Sequence, residues 1–305
     1  MDRIIVTGGY GFIGSSFVNL AAKKGYEVLV VDKLTYAADP KFVTEKHTFL
    51  EKDICDLTAN DLGEYEYIVN FAAETHVDNS IDNPNPFLKT NIAGIYRLLE
   101  LARVNGRLKK FIQISTDEVY GDMDDFWDDE ANENYPLVPS SPYSATKASS
   151  DMLVTAWGRT FKIPYLITRT CNNYGANQNK EKFLPKIYEC IKEDKEIPVY
   201  GDGSQIREWI WVEDNVRAIL DLLKNKNAFN TIINIGTAER YNNLEIIRMI
   251  NEFLPGKKAK ISFVEDRKGH DVKYAINSSS LRNYDIRYRF KKLPVYLKEL
   301  YLSKN

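Results

Sequence analysis

Tyr143 and Lys147 stand four residues apart in Ser141-Pro142-Tyr143-Ser144-Ala145-Thr146-Lys147, a spacing that puts a phenol and an ammonium on one face of a helix. A free tyrosine titrates near about 10 and is a poor base at neutral pH, whereas a nearby ammonium stabilises its phenolate. A second group, Thr116-Asp117-Glu118, sets two carboxyl groups side by side at the end of an apolar run. Two carboxyls held in opposite protonation states supply an acid and a base within one site. Each pattern also has a plain reading: Tyr-x-x-x-Lys recurs on surface helices, and adjacent acids mark solvated turns. Their meaning depends on what accompanies them.

What accompanies them is a glycine-rich turn, Thr7-Gly8-Gly9-Tyr10-Gly11-Phe12-Ile13-Gly14, placed between an apolar run and a helical pattern. Glycines at 8, 11 and 14 let the chain turn sharply, approach a pyrophosphate and pack a helix on a sheet. The helix N-terminus offers unpaired N–H groups to the phosphates. Asp32 ends the next apolar run, eighteen residues past Gly14. A carboxylate there binds the ribose hydroxyls and repels a 2′-phosphate, which favours NAD over NADP. Lys33 beside it pulls the other way. Asp53-Ile54 either holds the adenine edge or makes a strand-end turn. A cationic nicotinamide ring in such a cleft would lower the Tyr143 pKa further.

The elements that must position these groups are legible in the first half. Ile4–Thr7, Glu27–Val31, Thr48–Lys52, Tyr67–Phe71 and Lys110–Ser115 read as strands, with helical spacing over Phe12–Lys24 and Pro86–Val104. A helix over Pro142–Phe161 and a strand through Tyr165-Leu166-Ile167 follow. Strands alternating with helices predict a parallel α/β sheet, Rossmann-like and doubly wound, and continuous apolar runs such as Val28–Val31 fit strands buried on both faces. The expected division is a dinucleotide-binding domain over 1–170, rejoined by about 205–236, and a smaller α/β substrate lobe over 171–305. Ile210–Leu223 is expected to return to the main sheet. The acidic stretch Gly121–Pro139 reads as a solvated loop without metal-ligand spacing.

The chain has 305 residues, 44% hydrophobic and 28% charged, with a formal net charge of −2, the balance of a globular protein without the basic excess of a nucleic-acid binder. Three cysteines, Cys55, Cys171 and Cys190, form no CxxC pair, so neither a disulfide scaffold nor a metal site is expected, and a reducing, cytoplasmic setting is. No apolar run is long enough to cross a bilayer and no secretory signal pattern is present, so no membrane partner is expected.

Taken together, the motifs resemble the extended short-chain dehydrogenase/reductase superfamily, and within it the dTDP-glucose 4,6-dehydratases. The likeness runs through Val31–Ala37, Asn70–Asp78, Ser115–Gly121, Ser141–Asp151, Asn172–Gly175, Val199–Ser204 and Val264–Asp271, spanning residue 1 to about 285. It implies an NAD-dependent enzyme that oxidises C4 of a nucleotide-diphosphate glucose, eliminates water across C5–C6 and returns hydride to C6. In that reading Tyr143 takes the C4 hydroxyl proton, supported by Lys147 and Thr116, Asp117 is the acid and Glu118 the base. The implied cofactor contacts are Gly8, Gly11, Phe12, Ile13, Gly14, Asp32, Lys33, Leu34, Thr35, Asp53, Ile54, Phe71, Ala72, Ala73, Thr90 and Asn173, with Tyr143 and Lys147. Thr75 matches a sugar contact, and Arg207 and Arg267 match the grip on the diphosphate. Asn172, Lys182, Phe183, Pro198, Tyr200, Asn242 and His270 match nucleotide- or phosphate-contacting positions. A homodimer joined through Pro86–Val104 and Pro142–Phe161 is also implied.

Departures from the family pattern fall in the loop Ala176–Lys180, at Phe183, in the short loop after Ala37 and at Asn283–Ile286. They touch the nucleotide lobe more than the catalytic core, leaving thymidine against uridine open. Three alternatives stand beside this reading: a UDP-glucose 4,6-dehydratase, a UDP-sugar 4-epimerase or decarboxylase, and a non-catalytic NAD-binding protein. Epimerising and decarboxylating relatives lack the adjacent carboxylate pair that Asp117-Glu118 provides.

Overall fold

Runs of Ile and Val build the central sheet. The computed structural model describes residues 2–123, 130–254 and 256–302. Its main sheet takes Arg3–Thr7 (β1), Glu27–Asp32 (β2), Thr48–Glu51 (β3), Tyr67–Asn70 (β4), Lys110–Thr116 (β5) and Tyr165–Thr170 (β6). Asn172–Tyr174 (β7), Glu196–Tyr200 (β8), Ile206–Trp211 (β9), Thr231–Ile235 (β10), Arg240–Asn242 (β11) and Lys260–Val264 (β12) follow. The helices are Phe12–Lys23 (α1), Ala59–Leu62 (α2), Val77–Asp82 (α3), Asn85–Phe87 (α4), Ile95–Val104 (α5), Pro142–Phe161 (α6), Phe183–Lys192 (α7), Val212–Lys224 (α8), Asn243–Glu252 (α9) and Leu293–Leu302 (α10). No helix among the described residues is long and apolar enough to cross a membrane.

The seven-stranded sheet runs β10-β6-β5-β4-β1-β2-β3, with every pairing parallel. Consecutive apolar residues serve both of its faces. Ile4 and Val6 pack with Phe17 and Val18 of α1 and Ile219 of α8, whereas Ile5 packs with Leu98 and Leu99 of α5 and Val154 of α6. This makes the sheet the doubly covered, Rossmann-like α/β layer expected from the alternation. The strand order reverses between β1 and β4, the crevice where such sheets bind ligands.

The return to the main sheet is made by α8 and β10, both within 205–236, and not by β9. α8 does pack on α1, but the strand that completes the sheet is β10, paired with β6. β9, which begins the segment expected to return, pairs instead with β7 and β11 in a three-stranded sheet. Its Arg207 and Glu208 are both buried, with partners at 237–240 and 271–276 that hold it there. A third apolar cluster, including Ile187, Ile197, Trp209, Ile246 and Leu297, underlies this part of the chain beside the β12-β8 pair. The Lys110 side chain stitches the two stretches together: its ammonium is buried and donates to the carbonyls of Leu222, Leu223 and Asn225 at 2.9, 3.1 and 2.9 Å.

The acidic stretch is not the solvated loop expected, as far as it is described. Asp122 accepts the N–H groups of Val272 and Lys273 at 2.8 and 2.9 Å, Glu130 pairs with Arg240 at 2.8 Å, and Glu133 accepts the Asn234 N–H at 3.0 Å. Its acids cap backbone groups that the second half would otherwise leave unpaired. Asp124, Asp125, Asp128 and Asp129 lie outside the described residues.

Candidate active site

The glycine-rich turn is built by close approach. Gly8 has φ +66°, and a Cβ there would lie 2.6 Å from the Ala72 backbone nitrogen; a Cβ on Gly14 would lie 2.2 Å from the Gly8 carbonyl oxygen. Both positions therefore need glycine. Gly11 stands at the N-cap of α1 and brings no side chain to cap it, so first-turn N–H groups stay available to an anion. Asp32 is fixed by accepting the Tyr10 N–H at 3.0 Å and the Leu34 N–H at 2.9 Å, and Leu34 takes φ +56° to allow this. An open cleft of about 560 Å³ lies beside these groups. Of the expected contacts, Gly8, Gly11, Asp32, Lys33, Thr35, Asp53, Ile54, Phe71, Ala72, Ala73 and Thr90 line it; Glu74 and Lys52 join them. Phe12, Ile13 and Gly14, in the first turn of α1, and Leu34, after β2, are not among the lining residues. The glycine approach, the uncapped helix start and the Asp32 carboxylate together fit a dinucleotide.

A π-helical stretch, Leu88–Gly94, joins α4 to α5 and makes one helix of the expected Pro86–Val104 segment. The wider turn buries Thr90 and Asn91, and the Asn91 carboxamide both accepts from and donates to the Glu74 backbone, at 2.9 and 3.0 Å. Asn91 has no signal in the sequence, because its position depends on a helical period of neither 3.6 nor 2.

The chemistry-bearing groups meet at the C-terminal end of β5. Thr116 caps the short 3₁₀ turn Asp117–Tyr120, accepting the Glu118 N–H at 3.3 Å and donating to Asp117 Oδ1 at 3.1 Å. Asp117 is 2% exposed, and its Oδ2 is buried without a hydrogen-bond partner. Burial, then the Glu118 and Glu208 charges, push the Asp117 carboxyl well above the usual carboxylate range. Burial also raises Glu118, but the guanidinium groups of Arg267 and Arg207 and the Lys182 ammonium oppose it. The two carboxyls are thus driven apart in their readiness to lose a proton.

Tyr143 and Lys147 are both buried on α6, whose start is fixed by a capping box between Ser141 and Ser144. Lys147 donates to the Ile114 carbonyl, and burial lowers its pKa to about 8, against the pull of Asp151. The lowering expected at Tyr143 counts a cationic nicotinamide ring as well as Lys147, and the protein groups alone do not supply it. Burial, then Glu118 and Asp117, push its phenol well above the ordinary tyrosine value, a hydrogen bond with Thr116 pulling the other way. The Lys147 ammonium, bonded to the Ile114 carbonyl and under the pull of Asp151, stays on the α6 face it shares with Tyr143.

Asp151 was not singled out from sequence, although it stands four residues past Lys147 and the spacing that links Tyr143 to Lys147 reaches it too. Its Oδ2 accepts from Ser115 at 3.0 Å and from Arg169 Nε at 2.9 Å, and Arg169 donates to the Tyr120 hydroxyl at 3.0 Å. Removing one partner of so buried a pair leaves an uncompensated charge. Arg169→Met should lower the unfolding free energy by about 3–5 kcal/mol, read from the denaturant midpoint; an unchanged midpoint would deny the pair any part in stability.

Among the second-half residues, some reach the cleft mouth and others are occupied elsewhere. Lys182 donates to the Thr75 carbonyl at 3.5 Å, Tyr200 donates to Asp78 at 3.4 Å, and Arg267 lies 3.8 Å from Asp78. Tyr36 donates to Glu181 at 3.2 Å, a further bridge from the first half. His270 is paired with Asp266 at 2.6 Å and sits edge-on to Tyr200. Arg207 stacks on Tyr274 at 4.2 Å and donates to the carbonyls of Ile206 and Asp271. Asn242 caps α9, accepting the Glu245 N–H at 2.8 Å. Asn173 is held by Thr170, Cys171 and Asn215 and is not part of the cleft wall. Asn172 lies in β7 and Pro198 in β8, and Phe183 packs on the third apolar cluster.

A glycine-turn cleft at the switch point of a doubly wound sheet, together with a buried Tyr–Lys pair at the C-terminal end of β5, defines an α/β protein of the extended short-chain dehydrogenase/reductase type. The chain belongs to the NAD dependent epimerase/dehydratase family, whose model matches residues 4–236. It is 44% identical to the low-salt glycan biosynthesis protein Agl12 of Haloferax volcanii, over 92% of this chain and 91% of that protein. It is 40% identical to a dTDP-glucose 4,6-dehydratase of Neisseria meningitidis, over 92% of this chain and 87% of that one. The structure of DesIV, a dTDP-glucose 4,6-dehydratase from Streptomyces venezuelae solved with NAD and TYD bound, superposes with a TM-score of 0.92 at 35% identity, covering 99% of this chain and 97% of that one.

Proposed function

We propose that this chain is an NAD-dependent nucleotide-sugar 4,6-dehydratase that converts dTDP-glucose to its 4-keto-6-deoxy product. The observation that carries the reading is the adjacent pair Asp117 and Glu118, beside Tyr143, with the Asp117 carboxyl driven toward its neutral form. Relatives at about 40% identity that bear the dTDP-glucose 4,6-dehydratase name support it. Gly8, Gly11 and Asp32 would hold NAD in the cleft, where it would supply the hydride acceptor for C4 and the hydride source for C6. Tyr143 takes the C4 hydroxyl proton, with Thr116 hydrogen-bonded to the same oxygen and Lys147 stabilising the phenolate. The resulting 4-ketone acidifies C5–H, which Glu118 removes while neutral Asp117 gives its proton to the departing C6 hydroxyl. Glu118 then reprotonates C5. Arg207 and Arg267 carry the charge that a diphosphate requires, and Lys182 adds to it.

The test supplies the purified protein with dTDP-glucose and UDP-glucose in parallel, without added cofactor. Loss of one water by mass, with the alkali-induced absorbance of a 4-keto sugar, is expected from dTDP-glucose in preference. Turnover of UDP-glucose alone would keep the mechanism and move the substrate, and an epimerised product of unchanged mass would overturn the dehydratase reading.

The assembly is read as a homodimer through α5 and α6, which leave Tyr96, Met152 and Phe161 exposed. Sedimentation should give twice the 35.1 kDa of the chain, and Met152→Glu should shift it toward the single chain; a monomer in both would reject this face. Three free thiols support a reducing, cytoplasmic setting, which cell fractionation tests.

A further inference from the structure

Lys33 is the sequence signal that the dinucleotide reading leaves unexplained. A lysine directly after the ribose-binding Asp32 would be a ready counter-charge for a 2′-phosphate. The structure engages it otherwise. Its ammonium donates to Thr90 Oγ1 at 3.2 Å and lies 3.6 Å from Glu74 Oε1 and 3.7 Å from Asp53 Oδ2. Lys89 approaches the same Asp53 oxygen at 3.4 Å. Asp32, Asp53 and Glu74 thus bring three carboxylates to the cleft wall around Lys33.

The groups around Lys33 are themselves fixed. Asp53 Oδ1 accepts the Cys55 N–H at 3.0 Å. The Glu74 backbone is pinned on both sides by the Asn91 carboxamide, which also donates to Thr146 at 3.0 Å. Thr90 is buried on the π-helical turn beside Asn91. Freeing the ammonium would therefore mean breaking contacts to three separate segments.

We propose that Glu74, aided by Asp53 and Thr90, is a cofactor-selecting residue: by neutralising Lys33 within the cleft wall, it denies a 2′-phosphate the cation that directly follows Asp32, while Lys52, the other cleft-lining ammonium, is held by Asp61 at 2.8 Å. Asp32 repels the phosphate, and Glu74 withholds the compensation that Lys33 would otherwise give. The inference rests on the cleft being a dinucleotide site.

A competition for the site tests it without using turnover. Wild-type protein, Glu74→Gln, Asp32→Asn, Asp32→Asn/Glu74→Gln and that double variant with Lys33→Ala are equilibrated with equal NAD and NADP. They are freed of unbound nucleotide, denatured, and the released dinucleotide is identified by mass. Wild type should release NAD. Adding Glu74→Gln to Asp32→Asn should raise the NADP-to-NAD ratio about tenfold, the worth of one charge-assisted contact, and Lys33→Ala should cancel the gain. Glu74→Gln alone should shift the ratio the same way by less, which keeps the test open if Asp32→Asn does not fold. A ratio unmoved by Glu74→Gln in NAD-loaded protein, or a gain that survives Lys33→Ala, overturns the selection role and leaves the dinucleotide site standing. Wild type that retains neither dinucleotide overturns both.

Discussion

Asp117→Asn is expected to let C4 be oxidised while slowing loss of water by about 10²–10⁴-fold, the usual contribution of a positioned acid. Reduced-cofactor absorbance should then build up in a single turnover, with the sugar's mass lagging behind it. The side chain keeps its shape and its hydrogen bond from Thr116, and loses only the proton it would deliver. The pH dependence has a definite sign. Asp117 acts in its neutral form, and burial with the Glu118 and Glu208 charges raises its pKa, so elimination should fall as pH climbs through that raised value. The variant should lack that limb. Glu118→Gln should show the same separation of steps through loss of the base. Elimination at the wild-type rate in either variant would remove the pair from the mechanism.

Tyr143→Phe should abolish both steps, because without the phenol the C4 hydroxyl keeps its proton and no ketone forms to acidify C5. A fall of at least about 10²-fold in product formation is expected, with no accumulation of reduced cofactor. The phenol is surrounded by charge of the wrong sign: burial and both carboxylates raise its pKa. A neutral Asp117 therefore serves Tyr143 too, since protonating it removes one of the three charges, those of Glu118, Asp117 and Asp151, that oppose the phenolate. Product formed at an undiminished rate, with normal cofactor reduction, would make Tyr143 a bystander.

The sheet strands and the two long helices were legible because their periods and capping residues are local. Val28–Val31 could only be a strand buried on both sides, and Ser141-Pro142 announces the start of α6. The glycine turn, Asp32 and the Tyr143/Lys147 spacing were legible for the same reason. What escaped depends on partners far along the chain. The expected return over 205–236 does not separate β9 from the main sheet, because its apolar residues look like any other strand's; the partners of Glu208, at 237–240 and 276, set it in the three-stranded sheet. The lowering expected at Tyr143 counts Lys147 and a nicotinamide ring, whereas burial and the carboxylates that oppose it come from segments brought together only by the fold. Arg169 carried no signal, since only the fold brings it to Asp151.

The Lys110 ammonium and β10 have a consequence during synthesis. As the chain emerges from the ribosome, residues up to 170 contain the whole glycine turn and every strand of the main sheet except the last. β6 would then wait with an open edge, and a bare lysine at the start of β5 would have no carbonyls to receive it. Both vacancies are filled only when residues 222–235 arrive, after most of β7, β8 and β9 has been made. The nascent first half must therefore be held unfinished while its own closing strand is translated, and truncating the gene near codon 170 would yield a sticky sheet edge rather than a portable cofactor module.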